Sequence, residues 1–224
     1  MKKRHAALLA LALVGILSGC GQAETQPETQ AADNTVSISP VELSEEQAEL
    51  LQLAGVNMTA DRFFLYEFSG NHTEANGTEI CHYIWKDSQW TPYKRRDGLV
   101  SGRYAQDLNG ETGKIAFHRD GDSNSDFSIE VHYPDGGWSH LKGGPGAVSD
   151  PTEGRFATIS TMEEPIDDLA VGVETPILIR VFHKEDIVWP LSIDAFSAPE
   201  NSEALQKSSY AEVYTVKFVK KDNP

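Results

Sequence analysis

The sequence predicts an all-β protein, an antiparallel β-sandwich with one short N-terminal helix. Short segments rich in β-branched and aromatic residues follow one another from residue 61 to the C-terminus, and turn residues separate them. No helical pattern alternates with these segments, which argues against the parallel sheet of an α/β protein. With 224 residues, of which 39% are hydrophobic, the chain is long enough for one domain with its own core.

The first predicted element is a helix over residues 45–54. Ser44 and Gln47 have the spacing of a capping box, in which each side chain bonds the backbone amide of the other residue. Ala48 and Leu51 then fall on one helical face, and Gly55 can end the helix. The predicted strands are residues 62–68, 79–86, 114–119, 127–133, 137–142, 155–161, 176–184, 187–194 and 210–220, and a further strand lies between 99 and 106.

One predicted hairpin, formed by residues 114–119 and 127–133, has a register that the apolar alternation suggests. Pairing Phe117 with Phe127 keeps the apolar side chains of both strands on one face. The same register sets Lys114 opposite Glu130, which is a favourable pair on the polar face.

Two further strands have predicted positions in the sheets. Residues 210–220 are apolar on both faces in the middle of the run, which predicts a central strand covered on both sides. Pro190 lacks a backbone N–H group, so the strand predicted over residues 187–194 is expected at a sheet edge.

The N-terminal segment has the features of a secretory signal. Three basic residues, 2–4, precede an uncharged apolar run over residues 6–17, which is too short for a comfortable membrane span. The run ends in Leu17-Ser18-Gly19-Cys20, which resembles the lipobox of bacterial lipoproteins. The resemblance implies that residues 1–19 are a lipoprotein signal peptide, that the sulfur of Cys20 receives a diacylglyceryl group, and that a signal peptidase cuts before Cys20.

A lipid at Cys20 would place the mature protein outside the cytoplasm, anchored to the cell membrane. Two acyl chains hold a protein stably, because each buried methylene contributes ~0.8 kcal/mol. Removing residues 1–19 removes three basic residues and no acidic ones, so the net charge changes from −15 to −18. An anionic lipid surface would repel that charge, and the lipid alone would hold the protein to the membrane.

Residues 20–42 are predicted to be a disordered tether, and residues 43–222 the β-sandwich domain. Residues 21–35 contain no Val, Ile, Leu or aromatic residue and cannot bury apolar surface. A flexible chain of about 20 residues spans roughly 25 Å.

The composition excludes several classes of protein and of site. A pI near 4.8 argues against nucleic-acid binding, which needs a basic face. Two cysteines cannot form a disulfide framework. Cys81, the thiol that would remain after lipidation, alternates into a strand face with Tyr83 and Trp85 and is expected to be buried and unreactive.

An acidic loop over residues 120–126 offers oxygen atoms at alternate positions, as a calcium ligand loop does. Its start matches the EF-hand pattern, but Ser125 stands where that pattern needs Gly and Val131 where it needs Glu. Two interpretations follow: weak Ca²⁺ binding, or a hairpin turn rich in turn-forming residues. No other cofactor is expected. The candidate ligands are Asp120, Asp122, Asn124 and Asp126.

The candidate ligand-binding residues are Trp90, Trp138 and His140. Both tryptophans lie beside turns or glycine-rich segments, and flat rings of this kind can line a groove for a glycan or a peptide. The alternative for the aromatic residues is packing within the core. His140 has His118 and His132 on neighbouring predicted strands, without the spacing of a metal site.

The motifs leave two functional hypotheses. The sequence lacks a catalytic constellation, which favours a non-catalytic binding or interaction domain with an envelope glycan or protein as its partner. Its layout is similar to that of small β-sandwich lipoproteins of bacterial envelopes, a similarity of plan that transfers no functional residue. The alternative is a hydrolase of envelope glycan or peptide, in which the fold would bring two carboxylates together.

Overall fold

The computed structural model describes residues 35–59, 62–72, 75–93, 99–103, 108–119, 127–141, 156–183 and 189–220. The helices in these ranges are α1 (Glu45–Leu53) and α2 (Glu203–Gln206), with 3₁₀ helices at Ile193–Phe196 and Pro199–Asn201. The strands are β1 (Val36–Pro40), β2 (Phe63–His72), β3 (Gly77–Lys86), β4 (Gln89–Pro92), β5 (Leu99–Arg103), β6 (Leu108–His118), β7 (Ser128–His132), β8 (Trp138–Leu141), β9 (Phe156–Thr161), β10 (Ile166–Leu169), β11 (Thr175–His183) and β12 (Tyr210–Val219).

These strands form two antiparallel sheets, which confirms the predicted all-β sandwich. The first sheet has the order β10-β1-β2-β6-β7-β8. The second sheet has the order β4-β3-β12-β11-β9, and β5 also pairs with β3. The closing strand β12 lies between β3 and β11, the central position that its two apolar faces predict.

Aromatic side chains from both sheets form the main core. Phe68 of the first sheet packs 5.5 Å from Phe218 of the second, measured between ring centroids. Phe117 and Tyr214 meet edge to face, also at 5.5 Å. The hydroxyl of Tyr66 reaches across the layer and donates a hydrogen bond to the carbonyl of Ile177 at 2.9 Å. These contacts fix the spacing of the sheets, because aromatic rings bury large apolar areas in set geometries.

The outer face of the second sheet carries a smaller core beneath residues 189–206, which we call the capping segment. Apolar side chains of β11 and β12, including Val181 and Val213, pack there against Ala195 and Leu205. Both faces of β12 are therefore covered, as expected for a strand apolar on both sides.

The sandwich begins earlier than the sequence analysis placed it. Residues 36–40, assigned to the tether, form β1, which pairs with β2 and β10 inside the first sheet. Val36 and Ile38 point into the main core and are fully buried, while the intervening Ser37 faces outward. This two-residue alternation is the strand signal that the tether assignment overlooked.

The hairpin register differs from the predicted one by two residues. Phe117 lies opposite Ile129 rather than Phe127, and Lys114 lies opposite His132 rather than Glu130. Because side chains alternate with a period of two, this shift keeps every residue on its predicted face. The predicted Lys114–Glu130 pair considered the hairpin alone. In the structure Lys114 forms its ion pair outside the hairpin, with Glu67 on β2 at 2.7 Å.

The strand predicted over residues 187–194 is absent from residues 189–194, the part of that range that the structure describes. Residues 189–192 are irregular, and a 3₁₀ helix begins at Ile193. The hydroxyl of Ser192 accepts a hydrogen bond from the Asp194 amide at 3.1 Å, which starts that helix. Pro190 cannot donate to a sheet ladder, and the local cap stabilises the helical turn instead.

Helix α1 matches its prediction. The Gln47 amide donates to the Ser44 hydroxyl at 3.3 Å, and the Ser44 amide donates to the Gln47 side chain at 2.9 Å. Gly55 follows with φ of 89°, a conformation that favours glycine and ends the helix. The helix buries none of its side chains, and Leu50 is 60% exposed.

Candidate functional site

Exposed side chains on the outer face of β7 and β8 form what we call the Trp138 face. Trp138 lies opposite His132, and His140 lies opposite Glu130, so all four side chains share one side of the first sheet. Trp138 is 65% exposed. The structure therefore brings together two of the candidate ligand-binding residues, Trp138 and His140, on one strand.

The turn before β8 holds the Trp138 backbone in place. Asp135 accepts a hydrogen bond from the Gly137 amide at 3.0 Å, and the Tyr133 amide donates to the Gly137 carbonyl at 2.8 Å. Gly136 has φ of 83°, which a residue with a side chain rarely adopts. Ser139 points to the other face, where its hydroxyl meets that of Tyr133 at 3.0 Å. Trp138 is thus presented on an ordered hairpin.

The polar groups of the Trp138 face are exposed to solvent. His132 lies 3.7 Å from the Glu130 carboxylate, and both side chains are well exposed. Lys114, the neighbour of His132 on β6, pairs with Glu67 in an exposed ion pair. Exposed pairs of this kind contribute at most about 1 kcal/mol. The face offers a flat ring for stacking and imidazole and carboxylate groups for hydrogen bonds.

Trp90 lies on the other sheet, away from the Trp138 face. Its ring packs 5.2 Å from Trp85 and 6.0 Å from Phe196 on the outer face of the second sheet. Its indole N–H donates to the carbonyl of Ala195 at 3.4 Å. These contacts hold β4 to the capping segment, and they match the packing alternative for the aromatic residues.

The capping segment itself carries a groove of about 490 Å³. The acidic residues Asp194 and Glu203 are part of its lining, together with apolar residues such as Leu191 and Ala198. Sequence reasoning missed this groove, because it assigned part of the segment to a strand. The spacing of Ser192 and Ser202 ahead of acidic residues is a capping signal that points to the helical turns.

A buried ionic cluster crosses three strands of the second sheet, and we call it the Glu212 cluster. Glu212 on β12 is fully buried and accepts hydrogen bonds from the Arg180 guanidinium, at 2.7 Å from Nε, and from the Tyr210 hydroxyl at 3.2 Å. His82 Nε2 lies 3.1 Å from Glu212 Oε2, the oxygen that also accepts from Tyr210, whereas Arg180 binds Oε1. The His82 ring stacks on Tyr214, with centroids 4.4 Å apart.

The Glu212 carboxylate stays ionised because of these neighbours. Burial alone would raise its pKa, but the Arg180 guanidinium and the His82 ring together lower the pKa of Glu212 to about 2. The cluster is closed to solvent, so it serves the sheet rather than a ligand. The available sequence signal was Glu212 itself, a charged residue within a strand covered on both faces, which needs a buried partner.

Cys81 is partly buried on the outer face of β3. Burial and the nearby Glu174 carboxylate raise the pKa of the Cys81 thiol to about 11. Tyr83, two residues along the same face, donates its hydroxyl to Glu174 at 2.5 Å. A thiol with such a pKa is protonated at neutral pH and is a poor nucleophile.

Several predicted sites fall outside the described ranges. These are the lipidation site Cys20 and the calcium candidates Asp120, Asp122, Asn124 and Asp126. Within the described residues, the structure contains no group of three or more His, Cys, Asp or Glu side chains arranged to hold a metal ion. Among the helices of those same ranges, none has the length and apolar character needed to cross a membrane.

Comparison of the chain with protein-family models, with curated proteins and with solved structures found no match.

Proposed function

We propose that this chain is a membrane-anchored extracytoplasmic lipoprotein whose β-sandwich is a non-catalytic binding domain for an envelope glycan or protein. The observation that carries the binding proposal is Trp138, which is 65% exposed on an ordered hairpin. Leaving a large aromatic side chain in water forgoes on the order of 1.5–3 kcal/mol of burial. A partner that stacks on the ring would recover it.

The neighbours of Trp138 suit a polar partner with flat apolar patches. His132 lies opposite Trp138 on β7, His140 lies two residues along β8, and Glu130 supplies a carboxylate opposite His140. A sugar ring has this mixed character, since one face carries C–H groups and its rim carries hydroxyls. A polypeptide loop with an exposed aromatic or proline side chain has it as well.

The binding test uses the quenching of tryptophan fluorescence by acrylamide. We expect soluble envelope glycan fragments, or an envelope protein extract, to protect Trp138 from quenching in a saturable way. The Trp138→Ala variant should lose that change, while Leu50→Ala, which removes another exposed apolar side chain, should keep it. Equal responses from the two variants would contradict a site at Trp138.

The lipoprotein proposal is supported by the Leu17-Ser18-Gly19-Cys20 motif and the apolar run before it. Replacing Cys20 by Ala removes the sulfur that would carry the lipid, so the protein should move from the membrane fraction to the soluble fraction. Cys81→Ala is the matched control and should stay with the membrane. Membrane retention of Cys20→Ala would refute the anchor.

One observation favours the hydrolase alternative, namely that Asp194 and Glu203 line the same groove. Glycoside hydrolysis needs two carboxyl groups facing one bond. The alternative predicts that the protein releases new reducing ends from envelope glycan, and that Glu203→Gln stops the release. Saturable binding without any release supports the binding domain.

Calcium binding by the acidic loop stays a prediction. With incomplete ligation the dissociation constant should be about 10⁻⁴–10⁻³ M. A tenfold excess of Ca²⁺ over that constant would stabilise the protein by ~1.4 kcal/mol. Melting the protein in millimolar CaCl₂ and in EDTA measures this. Asp122→Ala should abolish the difference, and equal melting temperatures of the parent protein would leave the loop as a turn.

A further inference from the structure

The groove in the capping segment is a concave feature, lined by described residues, that lies apart from the Trp138 face. It lies between the 3₁₀ helix Ile193–Phe196 and helix α2. Its volume of about 490 Å³ falls in the range of small-molecule sites, roughly 300–1,000 Å³. The groove is on the second sheet, whereas the Trp138 face is on the first, so the two sites are independent.

The lining combines apolar surface with two carboxylates. Leu191, Ala195 and Ala198 contribute apolar side chains, and Ala195 is buried in the smaller core beneath. Asp194 and Glu203 lie in the first turns of their helices, and both belong to the lining of the groove.

The hydroxyl groups of the lining are already engaged within the capping segment. Ser192 donates its hydroxyl to Asp194 Oδ2 at 3.0 Å and accepts from the Asp194 amide. Ser202 accepts from the Leu205 amide at 3.3 Å. The lining also contains Asn201, whose side-chain amide is polar but neutral, so Asp194 and Glu203 are the charged residues of the groove.

Among the described residues, no basic side chain lines the groove. Lys207 follows Glu203 by one helical turn, but its ammonium group lies over the Trp189 ring, 5.9 Å from the centroid. The chain as a whole carries a net charge of −15, which adds to the negative potential at the groove.

We propose that this groove binds a small organic cation, specifically a primary amine on a compact apolar skeleton. The apolar floor takes the skeleton, and the carboxylates of Asp194 and Glu203 accept hydrogen bonds from the ammonium group, which has three donors. An anion of the same shape is repelled, and a neutral alcohol gains only the apolar contact. Both carboxylates are exposed, so each contributes the modest energy of a solvated ion pair.

The experiment is an NMR titration of the full chain with three probes of matched shape. The probes are 2-phenylethylamine, 2-phenylethanol and 3-phenylpropanoate, which are cationic, neutral and anionic at pH 7. We expect the amine to shift the backbone amides of Ala195 and Ala198 saturably, with an affinity about tenfold above that of the alcohol. Equal affinities for the three probes, or no shift at these amides, would overturn the proposal.

Charge-neutralising variants provide the second test. Asp194→Asn and Glu203→Gln keep the side-chain shape, and each should weaken amine binding about threefold while leaving the alcohol unchanged. Glu200→Gln, on the neighbouring 3₁₀ helix but not lining the groove, removes the same charge and should leave amine binding unchanged. An equal loss in all three variants would indicate a general charge effect and refute the site.

Folding of each variant is checked by its amide dispersion in the same spectra. The comparison of the amine, the alcohol and the carboxylate uses only the parent protein. It therefore tests the proposal even if a substitution unfolds the capping segment. Trp138→Ala should bind the amine normally, which separates this site from the proposed function.

Discussion

Replacing Glu212 by Gln should destabilise the protein strongly. The substitution removes the charge that pairs with Arg180, and the Arg180 side chain is only 2% exposed. Breaking a buried ion pair by removing one partner costs about 3–5 kcal/mol, because the remaining charge stays desolvated without its counterion. The new side-chain amide would keep one acceptor oxygen for the guanidinium, which places the expected loss near the lower end of that range.

Urea unfolding followed by tryptophan fluorescence measures this loss. For a domain of this size, about 1 kcal/mol corresponds to a melting shift of roughly 2–4 °C, so Glu212→Gln should melt roughly 6–12 °C lower. The matched control is Glu67→Gln, which breaks the exposed pair with Lys114 and should cost at most about 1 kcal/mol.

A second substitution distinguishes the cost of leaving the Arg180 charge without a counterion from the cost of lost packing. Adding Arg180→Met to Glu212→Gln removes the buried guanidinium and should restore part of the stability. A cost of Glu212→Gln no larger than that of Glu67→Gln would refute the reasoning. A double variant less stable than Glu212→Gln would refute it as well.

The same cluster predicts how stability depends on pH. The pKa of Glu212 is lowered from its ordinary value of 4.5 to about 2 in the folded protein. The ionised Glu212 carboxylate stabilises the folded state fully when the pH is above the pKa that this group has in the unfolded chain. The stabilisation is lost as the pH falls toward about 2, the pKa in the folded protein. The difference in free energy of unfolding between the parent protein and Glu212→Gln should therefore decrease as the pH is lowered from 5 to 2. A difference that stays constant over this range would contradict the lowered pKa of Glu212.

Three further outcomes can be measured. Gly113→Ala should cost about 1–3 kcal/mol in urea unfolding, because its new Cβ would collide with the ring of the fully buried Phe68. Cys81, whose pKa is about 11, should react slowly with iodoacetamide at pH 8 in the native state and rapidly in urea, and equal rates would contradict this. Trp138→Ala should change stability by less than about 0.5 kcal/mol, whereas Trp90→Ala should cost at least about 1 kcal/mol, and the reverse order would be inconsistent with their burial.

The sequence correctly predicted the elements whose structure depends on neighbouring residues in the chain. The Ser44 and Gln47 side chains define the start of α1 within four residues, and the two apolar faces of residues 210–219 identify β12 as central. Each of these features can be read without knowing what lies beside it in space.

The features that the sequence did not predict depend on distant partners. The true neighbour of Lys114 is Glu67 on another strand, which a hairpin considered alone cannot supply. The Glu212 cluster needs residues from β3, β11 and β12 in one register. For the functional site, the sequence singled out Trp138, His140 and Trp90, and the structure places Trp90 in aromatic packing on the other sheet. The groove at Asp194 exists only because the capping segment folds over the second sheet.

The position of β12 has a consequence for the order of events in folding. This strand is the last in the described chain and also the one on which the second sheet is assembled, between β3 and β11. Glu212 meets Arg180 across 32 residues of sequence and His82 across 130. Such distant contacts close slowly, and they cannot form before β12 has been synthesised. β3 and β11 therefore have no strand between them until β12 has been made, and the backbone edges that β12 pairs with stay open until then.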